Sequence, residues 1–240
     1  MAADERERPP HDGAAGSYRV DPLITALLVL TFNTGFIDAV SYIALGRVFV
    51  ANMTGNVVFL GFAAAGVSGL SVSRALLSLV GFLAGAAIGG WVARAVAADK
   101  RPRLLLAAGL VEAALLAVAA VVSIGFEMES AEPLWALYAI IALTSLAMGL
   151  RNSAVQRLRV ADLPTTVVTM ALTGLAADSP VAGGSNPRPV RRVLSVTALF
   201  AGALCGAYLL RYGVVLPLLV TAICVLGTTA VYARVAPAHE

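Results

Sequence analysis

Asp38 stands sixteen residues into an apolar run, and the stretch VANMTGNVVFLG at 50–61 then gathers Asn52, Thr54, Gly55 and Asn56. A carboxylate at that depth of a bilayer costs about 2.5–3.5 kcal/mol on insertion scales and needs a reason. One reason is chemical: beside the amides and hydroxyl of 52–56, Asp38 would couple protons or coordinate a cation. The other is structural: it would accept hydrogen bonds from irregular backbone at membrane depth, which is tolerated only where protein or water satisfies it. A second polar group, Arg151 and Asn152, is followed by Thr165 and Thr166. Arg151 would clamp an anion or neutralise Asp38, or would simply sit at a helix end with its charge reaching the interface. Glu112, alone in LLLAAGLVEAALLAV, would reach the inner interface or pair with another span.

The elements around these residues must be membrane helices. Of 240 residues, 59% are hydrophobic and 13% charged, about half the charged share of an ordinary soluble domain, roughly 25%. A net charge of +3 gives no argument for nucleic acid. Cys205 and Cys224 lie in apolar runs without a CxxC partner, and both histidines, His11 and His239, lie in polar tails. No metal site or cofactor is expected. Without histidine, an activated nucleophile or a close carboxylate pair in the apolar body, an enzyme is the weakest functional class.

Residues 1–21 mix both charge signs with Pro and Gly, as a disordered cytoplasmic tail would. The apolar run that follows is too long for a signal h-region and lacks a small-residue cleavage site. Six runs are long enough to cross a bilayer, near 22–45, 75–97, 103–125, 133–151, 192–211 and 213–234. Two shorter runs, 53–68 and 164–177, start on polar, Gly or Pro residues and read as re-entrant half-helices. The fold class is therefore all-α, with about six spans and two half-helices. If the short runs re-enter, fourteen of the seventeen Lys and Arg fall on one side, leaving Arg47, Arg74 and Arg211 on the other. By the positive-inside rule the first side, with both termini, is cytoplasmic.

The chain also resembles itself. GFIDAV at 35–40 matches GLRNSAV at 149–155, NMTGNVVFL at 52–60 matches DLPTTVVTM at 162–170, and AGAAIG at 84–89 matches AGALCG at 201–206, with offsets of 114, 110 and 117. Two membrane repeats, 22–125 and 126–235, would then lie inverted, each with three spans and one half-helix. Gly81, Gly85 and Gly89, with Gly202 and Gly206, form small-xxx-small ladders for close packing inside the chain; a homo-oligomer seam through Gly81, Gly85 and Gly89 is the second use. GGSNPRPVRR at 183–192 is no phosphate loop, since no Lys-Ser or Lys-Thr follows.

TGFIDAVSYIALGRVFVANMTGNVVFLG at 34–61 and MGLRNSAVQRLRVADLPTTVVTMALTGLAADS at 148–179 resemble the YoaK-like family of bacterial membrane proteins, a family of unknown function. The resemblance implies a multi-span helical fold in the bacterial plasma membrane and supplies no substrate, cofactor or catalytic residue. Arg151 departs from the family pattern, which often carries Gln there. The function expected from the residues is a small-solute secondary transporter or channel-like carrier. Its midplane site would lie at the half-helix ends, lined by Asp38, Asn52, Thr54, Gly55, Asn56, Arg151, Asn152, Thr165 and Thr166, and its partners would be the lipid bilayer and a small molecule or ion. The alternative is a non-transporting scaffold, accessory subunit or sensor.

Overall fold

A computed structural model describes residues 21–96, 101–158, 168–185 and 188–236. Eight α-helices follow in order: α1 Pro22–Ala44, α2 Met53–Ala64, α3 Val72–Ala95, α4 Arg101–Val122, α5 Leu134–Arg157, α6 Val168–Ala177, α7 Pro189–Leu209 and α8 Val215–Val235. Six are long and apolar enough to cross a membrane, and α2 and α6 are the shorter apolar pair. The described residues outside them form turns and short irregular stretches, with no strand longer than a single bridge.

Helix starts follow local chemistry. Asp21 accepts from the Leu23 N–H at 2.8 Å and Pro22 takes the first helical position of α1, where its missing N–H costs nothing. Asn52 caps α2 through the Gly55 N–H and Ser71 caps α3 through the Arg74 N–H. Gly46, at φ +81°, turns the chain out of α1. The largest departure from the expected boundaries is α5, which continues six residues beyond 151 to Arg157. Polar side chains at 151–153 and 156–157 were read as a span's end, but the buried neighbours Ala154 and Val155 keep the helix packed. The segment 164–167, expected to open the second half-helix, lies outside the described residues.

The helices pack by a rule. α7 lies along α1 as α3 lies along α5; α8 meets α1 as α4 meets α5; α2 rests on α3 as α6 rests on α7; and α4 meets α8 at the centre. Exchanging α1–α4 for α5–α8 maps each of these packings onto another, as a twofold axis between α4 and α8 would. Burial follows the same pairing, with 61% of the apolar windows of both α1 and α5 buried against 22% for both α3 and α7. Outward faces carry large apolar side chains such as Leu83, Trp91, Phe200 and Ile223, suited to lipid contact.

The seams between these helices are made by glycine. A Cβ on Gly35 would fall on the Leu199 carbonyl, and one on Gly149 on the Phe82 carbonyl. Conversely, Gly202 and Gly206 of α7 face the carbonyls of Phe32 and Phe36, while Gly85 and Gly89 of α3 face those of Leu146 and Leu150. Both glycine sets obey the same two offsets, 114 for the central helices and 117 for their flanking partners. Gly81 meets Ser145 on the same seam. The ladder Gly81, Gly85, Gly89 is thus packed against α5 of its own chain.

Alanine at Gly35, Gly85, Gly149 or Gly202 should lower the apparent melting temperature of the detergent-purified protein, by the overpacking cost of about 1–3 kcal/mol. Gly227→Ala, which meets nothing within 4 Å in α8, should be neutral or raise it. Equal effects at seam and control positions would show that the seams are not tightly packed.

Candidate functional site

The polar residues of the membrane body separate into two clusters. In the first, the chain leaves α1 and returns through residues 45–52 as irregular backbone. Asp38, one and a half turns before the end of α1, receives that backbone: Oδ1 accepts from the N–H groups of Val50 at 3.0 Å and Ala51 at 2.8 Å, and Oδ2 accepts from Asn52 at 3.1 Å. One carboxylate thus satisfies three consecutive donors that have no helical partner, next to the partly positive start of α2.

Asn56, fully buried, serves the residue just before them. Its Oδ1 accepts from the Phe49 N–H at 2.9 Å and its Nδ2 donates to the Phe49 carbonyl at 2.6 Å, so the amide side chain pairs with the backbone as a neighbouring strand would. Ser78 of α3 also donates to the Phe49 carbonyl, at 2.6 Å, and lies 3.1 Å from the Asn56 amide. Gly55 makes room for the Phe49 ring rather than for a backbone, since a Cβ there would stand 2.8 Å from the ring. That ring stacks against Tyr42 and against Phe59, which also meet each other at 6.0 Å, so the three form one cluster. Asn52 and Thr54 lie at the exposed surface of the helix bundle.

The second cluster joins α1, α4 and α5. Arg151, 2% exposed, places Nη1 3.1 Å from Glu112 Oε1, itself on a residue 1% exposed. Its Nη2 donates to Thr34 Oγ1 at 2.8 Å and approaches the Met148 sulfur at 3.0 Å. Arg151 is therefore not a helix-end cation reaching the interface. It is the largest fully buried side chain, enclosed because α5 runs on past it. Asp38 lies one turn, about 6 Å, beyond Thr34 along α1, and its carboxylate is directed to residues 50–52 instead of Arg151. One position before Thr34, the buried Asn33 leaves its Nδ2 without a hydrogen-bond partner.

Of the expected site residues, the structure brings Asp38, Asn52, Gly55 and Asn56 together around one loop, while Arg151 bonds to Glu112 and Thr34 and acts on Asp38 only through its charge. Asn152 is half-buried, and Thr165 and Thr166 lie outside the described residues. α2 and α6 rest on different helices, α3 and α7. Sequence reading passed over Thr34 and Ser78. The cue for Thr34 was the polar series Thr31, Asn33, Thr34, Asp38, Ser41 in α1, dense for a membrane helix; a lone serine like Ser78 gives no cue. A separate cleft of about 430 Å³ opens between α1 and α8, bounded by Ala26, Val29, Val231 and Tyr232 among others. Among the described residues no three His, Cys, Asp or Glu side chains come together.

The Asp38 geometry yields a graded expectation. Asp38→Asn keeps one acceptor oxygen but turns an N–H₂ toward one of the three donors, and Asp38→Ala leaves all three unmet. At about 1–3 kcal/mol for each orphaned buried group, both variants should melt lower than wild type, alanine lowest. Thermal unfolding in detergent checks the order; an unchanged melting temperature for Asp38→Ala would show that the loop is held by other contacts.

The family model described as "Protein of unknown function (DUF1275)" matches residues 26–232, nearly the whole helical body. The "UPF0700 transmembrane protein YoaK" of Bacillus subtilis (strain 168) is 32% identical over 154 residues, 64% of this chain and 66% of that protein. The match thus spans just under two thirds of that relative's length. No solved structure matches the chain. With six helices of membrane-crossing length and composition, this match makes the chain a multi-pass membrane protein belonging to the YoaK-like DUF1275 family.

Proposed function

We propose that the protein is a small-solute secondary carrier whose solute site forms around the buried Arg151–Glu112 pair. The observation that carries this reading is the contrast between the two clusters. Asp38, Asn52 and Asn56 answer the needs of irregular backbone. Arg151 and Glu112 answer none, because α4 and α5 are regular helices at those positions. Apolar residues of similar volume would hold three such helices as well or better, since a buried ion pair is a weak source of stability. An intramembrane charge pair facing the bundle interior is by default a functional feature.

The chemistry available is exchange at one guanidinium. Arg151 offers planar donors suited to a carboxylate or other oxyanion, and Glu112 occupies that place when no solute is present. A small carboxylate would displace Glu112 and find a hydroxyl at Thr34. The two halves, 22–125 and 126–235, would act as an inverted pair that opens this site to either side in turn. On this reading the protein is not an enzyme and needs no cofactor, and both termini face the cytoplasm of the bacterial cell by the distribution of cations.

A second reading, a non-transporting scaffold, accessory subunit or sensor, is favoured by the way the polar loop motif is spent on the chain's own backbone. A thermal-stability screen of the purified protein against small carboxylates and inorganic anions separates the two. The carrier reading expects a saturable rise in melting temperature for wild type and for Asp38→Asn, by mass action about 2.7 kcal/mol at a hundredfold excess over Kd. The rise should vanish in the paired variant Glu112→Leu with Arg151→Met, which keeps the volume and removes both charges. If no anion shifts wild type and the paired variant melts at or above it, the scaffold reading takes over.

Orientation has its own check. Ser68, in the exposed turn between α2 and α3, should as a single cysteine, in a variant lacking Cys205 and Cys224, react with an impermeant thiol reagent added outside intact cells. Labelling only after the cells are opened would reverse the assignment.

A further inference from the structure

Two arginines occupy the turns of the first half, at the end of the bundle reached by α1. Arg74 is the third residue of α3, and its guanidinium lies against Gly46, at the place a Cβ would occupy. Arg47, next to Gly46, reaches back so that its Nη1 lies 2.9 Å from where a Gly69 Cβ would stand. Each turn therefore lends a cation to the other. Neither guanidinium has a hydrogen-bond or ion-pair partner among the described residues, and the Arg74 Nε is buried without one. Between Asp38 and Glu127 the sequence holds two acids, Asp99 and Glu112. Glu112 is engaged by Arg151, and Glu127, Glu129 and Glu132 of the α4–α5 loop form no ion pair with either arginine among the described residues.

Three features work against this arrangement unless an anion joins it. A cation in the first turn of a helix opposes the helix dipole. Arg47 holds φ +61°, a conformation that favours glycine. Two like charges lie on turns of the same half with no acid paired to either among the described residues. At the start of α7, Arg192 contacts Asp178 Oδ2 at 2.7 Å and the Gly174 carbonyl at 2.7 Å; by the offset of 117 it matches Ala75 of α3, while Arg74 matches Arg191. Asp178 is the residue directly after α6, and the residue directly after α2 is Ala65. The first half carries no acid at that place.

We propose that Arg47 and Arg74 form a binding site for a phosphoryl oxyanion, either a lipid headgroup phosphate or free phosphate. Two guanidinium forks suit phosphate oxygens. The hydroxyls of Ser71, Ser73 and Tyr138, linked at 2.9 and 2.7 Å, lie at the start of α3 that carries Arg74. The site lies apart from the Arg151 cluster and does not depend on the carrier reading.

The test compares wild type, Arg47→Gly and Arg74→Gln in detergent by thermal unfolding. Phosphatidylglycerol is titrated against phosphatidylcholine in mixed micelles, and inorganic phosphate against chloride at equal ionic strength. Arg47→Gly keeps the test independent of folding, because glycine accepts φ +61° and should melt no lower than wild type without added anion. Stabilisation of wild type by phosphatidylglycerol alone assigns the site to a lipid headgroup; stabilisation by inorganic phosphate assigns it to a free oxyanion. In either case half-saturation should move at least about tenfold in each variant, the loss of one charge-assisted contact. The proposal is overturned if neither probe exceeds its control, or if both variants respond as wild type does.

Discussion

A chain that turns back inside a membrane must give every backbone donor a partner, because lipid offers none. Here that constraint falls on residues 49–52. Asp38 and Asn56 meet it with side chains that act as pieces of backbone, the carboxylate taking three N–H groups and the amide pairing with both polar groups of Phe49. Without them α2 could not begin where it does. The cluster of Tyr42, Phe49 and Phe59 would also lose the Phe49 ring, whose place depends on the Phe49 backbone being fixed. The cost of one carboxylate in the membrane is offset by three charge-assisted hydrogen bonds.

Around this loop the bundle relies on contact between backbones. In lipid no hydrophobic force draws helices together, so close van der Waals packing has to do it. The glycines of α1, α3, α5 and α7 allow that approach on two seams whose contacts repeat at fixed offsets. The seams join α1 to α7 and α5 to α3, and α1 and α5 also meet α8 and α4. That leaves Arg151, Glu112 and Thr34 enclosed by three helices, where a charge must be answered by another charge.

Much of this was legible in the sequence, for identifiable reasons. Spans show as apolar runs because their length is fixed by the bilayer, and the glycine seams show as repeated AGAxxG motifs because only hydrogen fits at those points. Asp38 was legible as a pair of alternatives, one of which, acceptance from irregular backbone, describes its contacts. Arg151 was harder to place. Polar residues near the end of an apolar run look the same whether the helix stops or continues into protein, and only the neighbours decide. Its partner Glu112 lies 39 positions away on another helix, and nothing in local spacing reports such a distance. Thr165 and Thr166 fall outside the described residues, so the second half of the expected site has no geometry to set against the first.

The separation along the chain of each polar contact also orders how the molecule can be put into the membrane. Asp38 meets its donors 12 to 14 residues downstream, so the turn after α1 can close soon after it is synthesised, before any other helix exists. Arg151 joins residues 117 positions apart at Thr34. Until α5 is synthesised, Glu112 on α4 lacks the counter-charge that Arg151 gives it in the folded protein. Biogenesis thus has an early local step and a late committing one, and the committing step is the arrival of a single arginine.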